Sequence, residues 1–181
     1  MALFETIRAK KRQLVVANSI YLAAVQQSRR PLLYVEYGVP DTVDGRFDMI
    51  VIHVMLIIRR LRREGALAKD MSQLVLNLMF DDMDRNFREM GIGDISIGKH
   101  VKKTAKAFYG RAEIIEGGLD SGKEDLSNAL LETVFRSTEQ VDDSNLKLAF
   151  YLIKADEYLG VQASESLMQG DVSFAPTAPA S

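Results

Sequence analysis

The chain has 181 residues, no cysteine and 47% hydrophobic residues, enough for one domain with a real core, because a chain of this length buries roughly 70% of its unfolded surface. The missing cysteines exclude a disulfide framework, a thiolate-held zinc or iron–sulfur site and a thiol nucleophile. The formal charge of −2 conceals a division, since residues 1–111 hold 19 Lys+Arg against 12 Asp+Glu while residues 112–181 hold 4 against 13.

The amino terminus places Glu5 before the basic cluster Lys10, Lys11, Arg12 with no apolar run ahead of it, which is not the pattern of a secretory signal. Apolar residues recur with a period near 3.6 and strict alternation is nearly absent, so an all-α fold is expected. The first helix runs from about Ala2 to Gln27, with Leu3, Ile7, Leu14, Ala17, Tyr21 and Ala24 on one face, and stops before Pro31. Leu32 to Asp44 contains Gly38 and Pro40 and reads as an ordered loop or short helix with its aromatics inward. Asp44 is the expected N-cap of a second helix, Gly45 to Arg63, apolar nearly all round as central helices are. Its longest apolar run, Met49 to Ile58, spans about half a bilayer core and is interrupted by His53, so no transmembrane helix is expected.

A third helix follows from about Lys69 to Met90, with Gly91 at its C′ position. Asp94 or Ser96 would cap a fourth, reaching about Glu116, whose Val101, Ala105, Phe108 and Ala112 oppose a basic back of Lys99, Lys102, Lys103 and Lys106. Gly117-Gly118 and Ser121-Gly122 are expected to break the chain before two last helices, about Glu124–Ser137 and Asp143–Leu159. The whole reads as one bundle-like domain of about six helices over residues 1–160, with 161–181 a partly disordered tail ending in two of the four prolines.

Enzymatic readings fail on chemistry. Gly117-Gly-Leu-Asp-Ser-Gly122-Lys123 has phosphate-loop spacing, but Glu124 stands where Ser or Thr must hold magnesium, and a helix precedes it where a strand is required. Asp82, Asp84 and Asn86 begin a calcium-loop pattern that Phe87 and Gly93 end, at places needing Gly and Glu. Asp81, Asp82 and Asp84 lack the second acid-rich motif of diphosphate-binding helices and read as a solvated face pairing with Arg85 and Arg88. His53 and His100 have no ligand-type partner at helical spacing. His53, inside an apolar run, reads as a hydrogen-bonded core residue. No cofactor or catalytic residue is expected.

Two blocks carry a resemblance: Tyr34-Val-Glu-Tyr37-Gly-Val-Pro40-Asp41-Thr-Val-Asp-Gly45-Arg46-Phe47-Asp48 followed by His53, and Phe80-Asp-Asp82-Met83-Asp84-Arg-Asn-Phe87-Arg88-Glu89-Met90-Gly91-Ile-Gly93-Asp94-Ile-Ser-Ile-Gly-Lys99, then Phe108-Tyr-Gly-Arg111. In these the chain is similar to the ubiquinol–cytochrome c chaperone family over roughly residues 15–160. The resemblance implies a non-enzymatic assembly factor that receives newly made cytochrome b near the ribosome and helps it acquire haem before ubiquinol:cytochrome c reductase is assembled, working with a small partner protein. Without a transit peptide or anchor, the chain looks like a bacterial relative, cytoplasmic or peripheral to the inner membrane.

Gly45, Arg46, His53, Asp82, Asp84, Arg88, Glu89, Gly91, Gly93, Asp94 and Arg111 are expected to be structural motif positions, with Arg46 pairing Asp41 or Asp84 and Arg88 pairing Asp94. Adaptable, polarizable side chains suit a membrane-protein client, so Tyr34, Tyr37, Pro40, Asp41, Phe47, Met49, Met55, Met83, Phe87 and Met90 are expected to frame the client site. Arg59, Arg62 and Arg63 with Lys99, Lys102, Lys103 and Lys106 are expected to form a basic surface for ribosome or inner membrane, with no specific DNA partner. The alternative is a ribosome- or nucleic-acid-binding module that uses this face without a chaperone role.

Overall fold

In a computed structural model describing residues 2–89, 94–138 and 142–174, the chain is α-helical, with no strand among the described residues. The elements are α1 (Ala2–Ser28), α2 (Pro31–Val35), α3 (Val43–Arg62), α4 (Ala66–Glu89), α5 (Asp94–Ser121), α6 (Lys123–Glu132), α7 (Ser144–Gly160) and α8 (Ser164–Met168). The expected all-α bundle is therefore present, with α2 and α8 added to the six expected helices. Helix α3 is the axis. Every residue from Asp48 to Ile58 on it is buried, and α1, α4, α5 and α7 all pack against it.

The expected apolar face of α1 divides in two. Ala17, Tyr21 and Ala24 are buried, whereas Ile7 and Leu14 are exposed. Packing starts near Val16 and Ser19, against which the Gly170 turn lies, and the helix before that point extends past its neighbours. Pro31 opens α2 as its first residue, a position where proline's missing N–H costs nothing.

Thr42, and not Asp44, caps α3: its side chain accepts a 3.0 Å hydrogen bond from the Gly45 N–H. Asp44 lies inside the first turn, where it faces Arg136 at 3.4 Å and complements the helix dipole. The cap works because Gly45 has no side chain, since a Cβ there would stand 2.0 Å from the Pro40 carbonyl oxygen. A Gly45→Ala variant must push the Pro40–Thr42 turn aside and is expected to lose about 2 kcal/mol or more of stability, read by urea denaturation. A loss under about 0.5 kcal/mol would show that the turn yields freely.

Gly117-Gly118 does not break the chain. Helix α5 runs through both to Ser121, and Gly118 serves as the contact with α6, where a Cβ would stand 2.7 Å from Leu126 Cα. The chain turns only at Gly122, whose φ of 121° is a glycine conformation. Residues 161–174, set apart from sequence as tail, include α8 and fold back: Leu167 is buried, and Met168, Val172 and Phe174 pack on the core. Residues 175–181, and the expected helix end at Met90, Gly91 and Gly93, lie outside the described residues.

Candidate functional site

The first motif block forms the junction of α2, its following loop and α3. Tyr34 donates to the Ser28 carbonyl at 2.7 Å, which ties α2 to the end of α1. The Arg46 guanidinium lies over the Tyr34 ring at 5.4 Å and binds Asp41 at 2.6 Å, so the expected Arg46–Asp41 pair is present. It is open to solvent and orders the loop more than it stabilises the fold. Tyr37 is buried against Tyr151, with ring centroids 5.5 Å apart. The junction leaves Glu36, Gly38, Asp41, Thr42, Asp44 and Arg46 exposed together with two apolar side chains, Val35 at 77% and Val43 at 78%.

Beneath it lies Asp48, 1% exposed, with Arg111 of α5 and Arg136 beyond α6 each 2.5 Å from one of its oxygens. Arg111 also lies over the Phe47 ring at 5.2 Å. Burial alone would neutralise this carboxylate, and two guanidinium groups oppose that tendency. Asp48 thus pins α3 to α5 and to the α6–α7 connection. Arg111 was an expected motif residue, but neither Asp48 nor Arg136 was singled out, and Arg136 lies 88 residues from its carboxylate with no local pattern to mark it.

One turn further along α3, His53 is fully buried, as a core histidine. Its Nδ1 is 2.7 Å from the Met49 carbonyl and its Nε2 2.8 Å from the Tyr151 hydroxyl, which also lies 2.8 Å from the Gln27 amide nitrogen. A carbonyl can only accept, so Nδ1 carries the proton. Tyr151 then donates to Nε2 while accepting from Gln27. Every group in this chain is satisfied with the imidazole neutral, and burial pushes its pKa down to about 4. The Phe174 ring meets His53 edge-on at 5.2 Å. Gln27, Tyr151 and Phe174 escaped the sequence reading because each is remote from His53 along the chain.

The expected client-site residues do not share one surface. Met49, Met55 and Met83 are core, as is Tyr37. Tyr34, Pro40, Phe47 and Phe87 are half-buried, Phe87 against His100 at 5.4 Å, and Met90 lies outside the described residues. The methionines fill the interior of α3 and α4, where a flexible side chain serves packing. Of the described members of the set, Asp41 alone is exposed.

The basic residues likewise separate. Arg59 binds Asp120 at 2.6 Å and Asp156 at 3.2 Å, Arg63 reaches Asp156 at 3.4 Å, and Arg62 reaches Glu116 at 3.1 Å. Asp120 is held below the usual carboxylate range by its hydrogen bond from Arg59. Arg60 is buried, donating to the Leu159 and Gln162 carbonyls at 2.9 Å each and to Glu64, and so fastens the end of α7 to α3. The arginine run is therefore an intramolecular clamp on acidic residues of α5 and α7. Lys99, Lys102, Lys103 and Lys106 are exposed on α5 without a carboxylate within ion-pair distance among the described residues. They stand 17 to 10 residues, roughly 25 to 15 Å of helix axis, before Glu116, the partner of Arg62. The two runs do not make one surface.

Two acids of α4 are likewise engaged. Asp82 accepts from Tyr21 at 2.9 Å and faces Arg85, and Asp84 binds Arg88 at 2.9 Å. Burial, with the bond to Asp82, pushes the Tyr21 hydroxyl pKa up. No group of three metal-type ligands occurs among the described residues. Arg88 pairs with Asp84 within its own helix. The side chain of Asp94, the other expected partner, lies outside the described residues, and Glu89 is exposed at the end of α4.

What the geometry defines is a helical scaffold with a rigid loop–helix junction. The profile of the family described as ubiquinol-cytochrome C chaperone matches residues 35–174. The chain belongs to that family, which is an assembly chaperone and not an enzyme. It is similar to ubiquinol-cytochrome c reductase complex assembly factor 1 of Mus musculus, 24% identical over 164 residues, covering 90% of this chain and 55% of that protein. The Homo sapiens counterpart is 25% identical, covering 90% and 54%, so the chain spans about half the length of these relatives. The Xenopus laevis counterpart is 23% identical, covering 90% and 82%. Among solved structures, the Cbp3 homolog from Brucella abortus is similar with a TM-score of 0.85 and 29% identity, covering 97% of both chains.

Proposed function

We propose that this protein is a non-enzymatic chaperone for assembly of ubiquinol:cytochrome c reductase, that its client is newly made cytochrome b, and that it acts in the cytoplasm at the inner-membrane face with a small partner protein. The observation that carries the reading is the convergence of the family's first motif block on one rigid junction, held by Asp48 and Arg46, whose outer side exposes Val35 and Val43 among charged residues. Exposed apolar side chains among charged groups are what a client segment can use. No helix among the described residues is long and apolar enough to cross a membrane, so contact with a membrane client would come through such a surface.

Deleting the gene should lower membrane cytochrome b and reductase activity. A Val35→Asp, Val43→Asp double variant should reproduce that loss by at least about fivefold while keeping wild-type thermal stability, because both side chains are already in water. Unchanged cytochrome b in both strains would overturn the assignment. The unpaired lysine face of α5 supports a second contact, with the ribosome that makes the client. Co-sedimentation with ribosomes that weakens steeply as salt rises, and is lost in Lys102→Glu, Lys103→Glu, is the expected result.

A further inference from the structure

Every residue from Phe4 to Val15 on α1 is exposed on all sides of the helix, and the Gly170 turn meets α1 only from Val16 onward. A helix of about three turns has little stability in water without packing, so this arm lacks the partner its sequence is patterned for. Successive residues turn by about 100°. Phe4 and Val15 therefore point nearly the same way, Ile7 and Leu14 lie on the adjoining line, and the four make one apolar strip. Phe4 is 79% exposed, Val15 61%, Ile7 56% and Leu14 48%. Lys11 sits within the strip, with Arg8 and Arg12 on one flank and Lys10 on the other. Glu5 is the arm's single acid.

We propose that residues 4–15 form an interfacial anchor that lies along an anionic lipid surface, with Phe4, Ile7, Leu14 and Val15 among the acyl chains and the four cations on the phosphates. Lipid fits better than a protein groove because the cations border the apolar strip on both sides and interrupt it at Lys11. A long aliphatic stem can lift its ammonium group to a phosphate plane from that position. A protein groove would instead bury Lys11 without a known acid. The inference rests on α1 alone and stands whether or not cytochrome b is the client.

The test is flotation of the full-length protein with vesicles of phosphatidylcholine, with and without phosphatidylglycerol. Binding is expected only with phosphatidylglycerol, weakened about tenfold or more in Phe4→Asp, Ile7→Asp and likewise in Lys10→Glu, Lys11→Glu. Lys102→Glu, Lys103→Glu on α5 should bind as wild type. Amide hydrogen exchange should slow at residues 4–15 on the vesicles, which a purely charge-driven contact through another face would not produce. Unaltered binding in the α1 variants, or loss in the α5 variant instead, would overturn the proposal. So would absence of vesicle binding, or self-association on ultracentrifugation that Phe4→Asp abolishes.

Discussion

Replacing Asp48 by alanine should lower the unfolding free energy by about 3–5 kcal/mol, the largest effect expected of any single substitution outside the apolar core. The cause is what remains behind. Arg111 and Arg136 are both partly buried and both reach the Asp48 carboxylate at 2.5 Å, so its removal leaves two cations facing each other in a poorly solvated site. Arg136 would retain only the Thr133 carbonyl and the solvent-exposed Asp44 at 3.4 Å. Asp48→Asn keeps the shape but not the charge and should recover less than half of the loss. Asp48→Ala combined with Arg136→Ala should be less damaging than the sum of the two single changes, because it removes one of the opposed charges. Urea denaturation of the four proteins measures this, and a loss under about 1 kcal/mol for Asp48→Ala would refute the description of the junction as pinned by that carboxylate.

The second large effect is on acidification. His53 is neutral and fully satisfied in the folded protein, where its pKa is pushed down to about 4, against 6.5 for an ordinary histidine. Below pH 6.5 the unfolded chain binds a proton that the folded chain does not, so stability falls as pH falls. At about 1.4 kcal/mol per pH unit, the loss accumulates to roughly 3 kcal/mol by pH 4. Between pH 6.5 and 5 this slope precedes the protonation of ordinary carboxylates, so the readout is the pH dependence of unfolding in that window. In His53→Gln the slope should disappear even though the variant is less stable throughout. A variant that retained it would place the titrating group elsewhere. Because Phe174 covers the ring and Tyr151 and Gln27 complete its hydrogen bonds, protonation should also loosen residues 171–174 and the middle of α7 around Tyr151.

The fold class, the order of the long helices and the burial of His53 were legible in the sequence because each depends on local pattern. A period near 3.6 reports helices directly, and a histidine inside an apolar decapeptide has nowhere to go but the core. The errors share the opposite property. Gly117-Gly118 reads as a break until α6 is known to lie against Gly118, where the missing side chain permits contact. Asp44 is as good a capping residue as Thr42 on local chemistry, and the choice depends on the Pro40 carbonyl meeting Gly45.

The charge division of the sequence shows the same limit. The arginines at the end of α3 are a cationic run along the chain, but they are neutralised by Glu116, Asp120 and Asp156, residues of the acidic half that only the packing of α5 and α7 brings to them. The methionines suited to a client surface are equally suited to a core, and composition does not distinguish the two. By itself the sequence determined an all-α chaperone-family chain without thiol chemistry, because periodicity and motif are written locally. Tertiary structure alone decided which charges are spent within the molecule and which face solvent: the arginines inside, the lysines of α5 and the cations of the α1 arm outside. Ion pairing depends on distance in space, and these partners are separated by 54 to 97 residues along the chain.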